Sequence, residues 1–356
     1  MFETHRVALT ATVLASALLV AACGDQSESD TAAGADDGAD VSAGGGSADE
    51  NAFPVTVEHA FGETTIEQAP ERVATVAWAN HEVPLALGVV PVGMSKATWG
   101  DDDGDGILPW VEDELAVLGA EPPVLFDETD GIDFEAVADT SPDVILAAYS
   151  GLTQEEYDTL SKIAPVVAYP ELAWGTTMSE MIELNSRALG MAEEGQELVA
   201  DLEALIAESV AQWPELEGQT AVFTYLDPND LSQIGFYTTS DPRAGFLEVL
   251  GLQTPEAVAE ASAGSDSFYE TVSAESSDSF ADVDLFLTYG PTDGSVVQLV
   301  QDDPLLSKIP AVQNGAIVVL EDNTPLAASA NPSPLSIAWG LEDYLTLLAE
   351  AVDQAR

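Results

Sequence analysis

From Phe53 onward the chain alternates between two rhythms. "FPVTVEHAFGETTIEQAP" (53–70) switches between apolar and polar around "FGE" and predicts an opening β-hairpin. The runs "RVATVAW" (72–78), "VPVGMS" (90–95), "DVILAAY" (143–149) and "PVVAYP" (165–170) predict short buried strands. Between them "EVPLALGV" (82–89), "IDFEAVADTS" (132–141) and "TQEEYDTLSKIA" (153–164) have helical spacing, while 96–131 receives no element. Strands separated by helices imply a mainly parallel sheet covered on both faces.

From Thr176 to Trp213 proline is absent and apolar residues keep helical spacing for 38 residues. As one helix this stretch would be about 55 Å long, with Gly190 and Gly195 as places for a kink. After Pro214 the alternation of strands and helices resumes through "TAVFTYL", "FLEVLGL", "VDLFLTYG" and "GAIVVLE", and 333–355 closes the chain as an amphipathic helix. The predicted fold class is α/β, two lobes (53–175 and 214–356) joined by a single long helix over 176–213.

Upstream of the body the pattern changes. "VALTATVLASALLV" (7–20) is a 14-residue apolar run, short for a bilayer span but suited to a signal-peptide core. It ends in "LVAAC", which resembles a bacterial lipobox. Residues 1–22 then read as a lipoprotein signal peptide and Cys23 as the lipidation site. Lipid on Cys23 would tether the protein to the cell membrane on its extracytoplasmic face. Residues 23–52 are Gly, Ala, Ser and acids with little to bury, and read as a disordered acidic tether. Cys23 is the single cysteine, so no intramolecular disulfide is possible.

Charge narrows the functional classes. Eight Lys and Arg stand against 64 Asp and Glu, a net charge of −56. That excludes a nucleic-acid footprint and disfavours an anionic membrane surface as an electrostatic partner. It fits a surface kept hydrated at high ionic strength, where self-repulsion is screened, and so a saline habitat.

"ERVATVAWANHEVPLALGVVPVG", "IDFEAVADTSPDVILAAYSGLTQEEYDTLSKIAPVVAY" and "NPSPLSIAWGLE", together with the lipobox, resemble the substrate-binding lipoproteins of ABC importers. Within them the likeness is to the iron–siderophore and cobalamin group, actinobacterial type, over about residues 53–355. The resemblance implies two Rossmann-like lobes on a rigid helical backbone, a ligand in the interlobe cleft, small closure and a monomer. It implies capture of a ferric siderophore for an ABC permease, with cobalamin or haem as the alternative ligand and no enzymatic step.

The resemblance also carries a docking glutamate on each lobe. Asp133-Phe134-Glu135 matches the phrase of the first lobe, and Leu247-Glu248-Val249-Leu250-Gly251 that of the second. Glu135 and Glu248 are therefore the expected contacts to permease arginines, against the plainer reading of a solvated acidic face. Aromatic walls for a large chelate are expected at strand ends, from Trp78, Trp99, Tyr149, Trp174 and Tyr289. Arg243 opens a helix, where an unneutralised cation gains nothing from the dipole. Two readings are open for it, ligand contact or an ion pair with a neighbouring carboxylate. A triply negative catecholate complex would want several basic partners, and no basic cluster is present, so a hydroxamate-type chelate fits better.

Other chemistry is thinner. "DDDGDGILPWVE" (101–112) has the spacing of a calcium loop through Asp101, Asp103, Asp105 and Glu112, but Pro109 and the lack of a preceding helix speak against an EF-hand. A zinc or manganese carrier would want about three histidines, and beyond the signal only His59 and His81 remain. No G-x-S-x-G supports a hydrolase.

Overall fold

The computed structural model describes residues 48–355. The expected signal peptide (1–22), the expected lipidation site Cys23 and the expected tether as far as residue 47 lie outside the described residues. The last part of the expected tether belongs to the body instead. Glu50–Ala52 form a short 3₁₀ turn capped by Asp49, whose amide donates to the Gly190 carbonyl at 3.1 Å. None of the described helices is long and apolar enough to cross a membrane.

The opening hairpin pairs β1 (Val55–His59) with β2 (Gly62–Ile66), His59 facing Gly62. The N-terminal lobe is then built on β3 (Val73–Thr75), β4 (Gly93–Ser95), β5 (Val124–Phe126), β6 (Val144–Ala147) and β7 (Val166–Ala168). These strands are all parallel, in the order β5-β4-β3-β6-β7. Helices α1 (Glu82–Ala86), α2 (Pro109–Leu118), α3 (Phe134–Asp139) and α4 (Gln154–Leu160) connect them. Helix α2 and strand β5 lie in the stretch that has no sequence-predicted element. Pro109 does not oppose α2; it starts it, because proline's fixed φ and missing N–H cost nothing at the first helical position.

The stretch 176–213, read as one helix, is two: α5 (Met178–Ala188) and α6 (Ala192–Val210). Gly190 stops α5 in the left-handed conformation, φ +73°. Its amide returns to Arg187, and Met191 N to Ser186 O at 2.9 Å, the bonding that closes a helix on a glycine. Gly195 then lets α6 lie against α5, since a Cβ there would fall 2.0 Å from Ser186 Oγ. Helix α6, about 28 Å long, is what remains of the expected linker.

Beyond it, β8 (Ala221–Thr224), β9 (Gln233–Tyr237), β10 (Tyr269–Ser273), β11 (Leu285–Gly290) and β12 (Ile317–Glu321) form the second sheet, in the order β10-β9-β8-β11-β12. Strands β8, β11 and β12 are parallel, while β9 and β10 run antiparallel to their neighbours. Helices α7 (Pro242–Val249), α8 (Glu256–Ser262), α9 (Ser295–Asp302), α10 (Pro310–Asn314), α11 (Pro325–Ser329) and α12 (Ser336–Gln354) complete the lobe. Strands β6, β8 and β11 are buried along their whole length, as expected for sheets covered on both faces. One apolar cluster runs from Val73 and Val144 through Ile182 and Ile206 of α5 and α6 to Phe223 and Phe286. The two lobes thus share a continuous core.

Each sheet has one place where the strand order reverses: between β3 and β6 in the first lobe, between β8 and β11 in the second. Connections there leave in opposite directions and open a crevice beyond the carboxyl ends of the strands, where open α/β sheets hold ligands.

Candidate functional site

Trp78 follows β3 and Tyr149 follows β6, so they flank the reversal of the first sheet; Tyr289, within β11, stands at that of the second. The rings touch in sequence. Trp78 lies 6.4 Å from Trp99, and Trp99 meets Tyr289 edge-on at 5.5 Å, bridging the lobes. Tyr149 meets Trp174 edge-on at 5.4 Å. Trp174 sits at φ +61° with its indole over Gly151, where a Cβ would lie 2.1 Å from Nε1. Trp78 and Trp174 then border one cavity of about 300 Å³ on the first lobe's side of the crevice.

Arg243 completes the arrangement. It is the second residue of α7, and its guanidinium lies 3.9 Å above the Tyr237 ring. Its positive charge faces the phenols of Tyr149 and Tyr289, both pushed well up by burial and partly held down by that charge. The six residues expected to bind ligand, Trp78, Trp99, Tyr149, Trp174, Arg243 and Tyr289, therefore converge on one crevice.

The cation is not exposed and unneutralised. Asp241, 1% exposed, accepts from Arg243 Nε at 2.8 Å and from Nη2 at 2.6 Å, while its Oδ1 also caps α7 by accepting Arg243 N at 2.9 Å. Burial works against the arginine's charge, and the bonds and charge of Asp241 more than offset it. Cap and counter-ion are one residue.

The crevice is also tied across the lobes by polar contacts that sequence reading missed. Asn331 Nδ2 donates to the Tyr149 hydroxyl at 3.0 Å, Trp99 Nε1 to Asp322 at 3.3 Å, and Gly100 N to Asn323 Oδ1 at 2.9 Å. Behind the crevice Glu82 of α1 is 1% exposed. It accepts from Trp110 Nε1 at 2.8 Å and from Leu335 N at 3.0 Å, joining the first lobe to the start of α12. Its neighbour His81 is buried as well. No periodicity marks these residues, because their partners are brought to them only by the tertiary fold.

The two glutamates expected to dock lie elsewhere. Glu135 and Glu248 are both exposed, in the first turn of α3 and the last turn of α7. Glu248 accepts a short hydrogen bond from the Thr254 hydroxyl. Beside it Val249 is 59% exposed. Helix polarity favours a carboxylate at Glu135 and disfavours one at Glu248.

Asp101, Asp103 and Asp105 come within 4.8 Å of one another, the one such group of potential metal ligands among the described residues. Glu112 is not part of it. Asp101 spends its oxygens on the loop itself, accepting from Asp103 N, Gly104 N and Gly106 N at 3.2, 2.8 and 2.7 Å. The stretch follows β4 and not a helix, so it is an acidic turn closed on its own amides rather than an EF-hand.

A family model described as periplasmic binding protein matches residues 73–324. The probable siderophore-binding lipoprotein YfiY of Bacillus subtilis (strain 168) is 30% identical over 241 residues, 64% of this chain and 66% of that protein, just under two thirds of its length. The Fe(3+) dicitrate-binding periplasmic protein FecB of Escherichia coli (strain K12) is 26% identical over 280 residues, 77% of this chain and 84% of that one. The crystal structure of PiaA from Streptococcus pneumoniae TIGR4, in complex with ferrichrome, aligns with a TM-score of 0.81 at 47% identity, covering 85% of this chain and 100% of that one.

Proposed function

The chain belongs to the periplasmic binding protein family, and from that premise we propose that it captures a ferric siderophore of hydroxamate type in the interlobe crevice and delivers it to an ABC importer. The observation that carries this reading is the convergence of Trp78, Trp99, Tyr149, Trp174, Tyr289 and Arg243 at the strand-order reversals of both sheets. Flat aromatic walls with few fixed donors suit a large, partly apolar chelate. The ferrichrome held by PiaA, a hydroxamate chelate, supports the same class.

Charge supports it further. The cations bordering the crevice are Lys96 and Arg243; Arg243 is neutralised by Asp241 at 2.6 Å, while Lys96 has a loose, solvent-exposed contact with Asp127 at 4.0 Å. A triply negative catecholate would find little free positive charge, whereas a neutral trihydroxamate needs none. Mass spectrometry of protein purified from iron-starved native cells should find a ferric hydroxamate; a catecholate complex, cobalamin or haem would overturn the assignment.

The reading is of a monomeric binder with no catalytic step, held at the cell membrane through lipid on Cys23. It docks on the permease through Glu135 and Glu248. Both carboxylates are exposed, and Glu248 occupies a helix end where the dipole gives it no reason to be. Reversing both charges (Glu135→Lys with Glu248→Lys) should cut cellular uptake at least about tenfold and leave chelate affinity within about twofold. Affinity lost together with uptake would contradict a docking role.

A further inference from the structure

Glu128 follows β5 at the carboxyl edge of the first sheet and borders the cavity of about 300 Å³ that Trp78 and Trp174 also line. Nothing in the sequence separates it from 63 other acidic residues, but its surroundings do. Oε2 accepts from Ala77 N and from Ser95 Oγ, both at 3.0 Å, which fixes the carboxyl group. Oε1 is buried and has no partner. Such an acceptor carries a desolvation cost that no protein donor answers.

The charges facing it deepen the need for a donor. Glu156 of α4 borders the same cavity and repels it, while Lys96, after β4, is paired with Asp127. Burial first, and Glu156 second, push the Glu128 carboxyl up to about 7. The backbone around it is strained. Ala77 gives its N–H from φ +61°, and Trp174 across the cavity sits at φ +61°. Left-handed alanine and tryptophan persist only where surrounding structure over-determines them, and such outliers cluster at ligand clamps.

We propose that Glu128 is a specificity-determining ligand contact, its carboxylate accepting from a cationic amine on the bound ferric chelate, so that the site prefers chelates with an ammonium arm over neutral ones of the same chelating chemistry. This rests on the ferric-hydroxamate reading. The ammonium supplies both the missing donor and the missing counter-charge, as charge-assisted bonds do.

The test is a fluorescence titration of the mature protein with three chelates. Ferrioxamine B is a linear trihydroxamate ending in a primary amine; its N-acetylated derivative lacks the charge; ferrichrome is cyclic and neutral. At pH 8 the amine should bind about tenfold more tightly than its acetylated form, the scale of one charge-assisted bond. That preference should shrink as pH falls through 7, where Glu128 gains a proton, and Glu128→Gln should reduce it to about twofold or less at every pH. Equal binding of the two linear chelates by the unaltered protein overturns the assignment and needs no variant to show it; so does a preference that survives in Glu128→Gln. Binding of none of the three overturns the hydroxamate reading, and this assignment with it.

Discussion

Asp241→Ala is expected to lower stability by about 3 kcal/mol and to weaken chelate binding at least about tenfold. Two losses combine. Removing an N-cap aspartate costs about 1 kcal/mol. Breaking a buried ion pair costs about 3–5 kcal/mol by leaving the other charge without a partner. The arginine side chain keeps 18% of its surface exposed, so water relieves part of that second cost. Affinity falls because Asp241, through two hydrogen bonds, is the charged partner that holds the guanidinium over Tyr237 and towards Tyr149 and Tyr289. Asp241→Asn separates the two roles: asparagine caps well, so stability should recover by about 1 kcal/mol relative to alanine while affinity stays low. Urea unfolding and a chelate titration on both variants measure this. A stability loss below about 1 kcal/mol for alanine would mean that the pair does not organise the crevice.

A second expected result is a stability that rises as the solution is acidified, by about 3 kcal/mol from pH 8 to pH 5. Burial raises the carboxyl groups of Glu82 and Glu128 to about 7 from 4.5. The native state therefore holds protons that the unfolded chain has released between those values. Each group is fully stabilising below 4.5 and loses that contribution as pH rises through 7, worth about 2–3 kcal/mol by pH 5. His81 acts in the opposite sense, because burial lowers it to about 4 from 6.5. Its contribution is present above 6.5 and falls away on acidification, about 2 kcal/mol by pH 5. His59, lowered by partial burial, adds to that loss. The glutamates prevail because two of them oppose chiefly one histidine. Urea midpoints at pH 8, 6.5 and 5 should therefore increase in that order, and Glu82→Gln combined with Glu128→Gln should reverse the order by leaving the histidines opposed only by Glu112 and Glu114, whose carboxyls are also raised. A midpoint that falls steadily from pH 8 to pH 5 in the unaltered protein would show that these carboxyls are not buried as described.

Much of the fold was legible because strands buried on both faces are written as bare apolar runs. "DVILAAY" and "VDLFLTYG" could hardly be anything else, and the aromatics expected at strand ends meet in two groups, Trp78 with Trp99 and Tyr289, and Tyr149 with Trp174. Apolar spacing was less informative about continuity. It runs through Gly190 without a break, because α5 and α6 both keep an inward stripe, and only the left-handed glycine tells that the axis turns there. Helix α2 was lost for a local reason: Pro109 reads as a breaker unless it is recognised as a first residue. The polar half of the site was least legible. For Arg243 an ion pair with a neighbouring carboxylate was one of two open readings, and Asp241, two residues away, supplies that carboxylate. Glu128 and Glu82 acquire meaning only from neighbours more than 25 residues away, and in so acidic a chain no local signal separates a buried carboxylate from a solvated one.

Three tryptophans, Trp78, Trp99 and Trp174, border the crevice, so its occupation by a coloured ferric chelate can be read from intrinsic fluorescence. Titration of the purified protein with a ferric hydroxamate such as ferrichrome, set against a ferric tris-catecholate, tests the central claim most directly. The crevice described here predicts saturable quenching by the hydroxamate, with the catecholate at least about tenfold weaker. Tight quenching by the catecholate with none by the hydroxamate would contradict it.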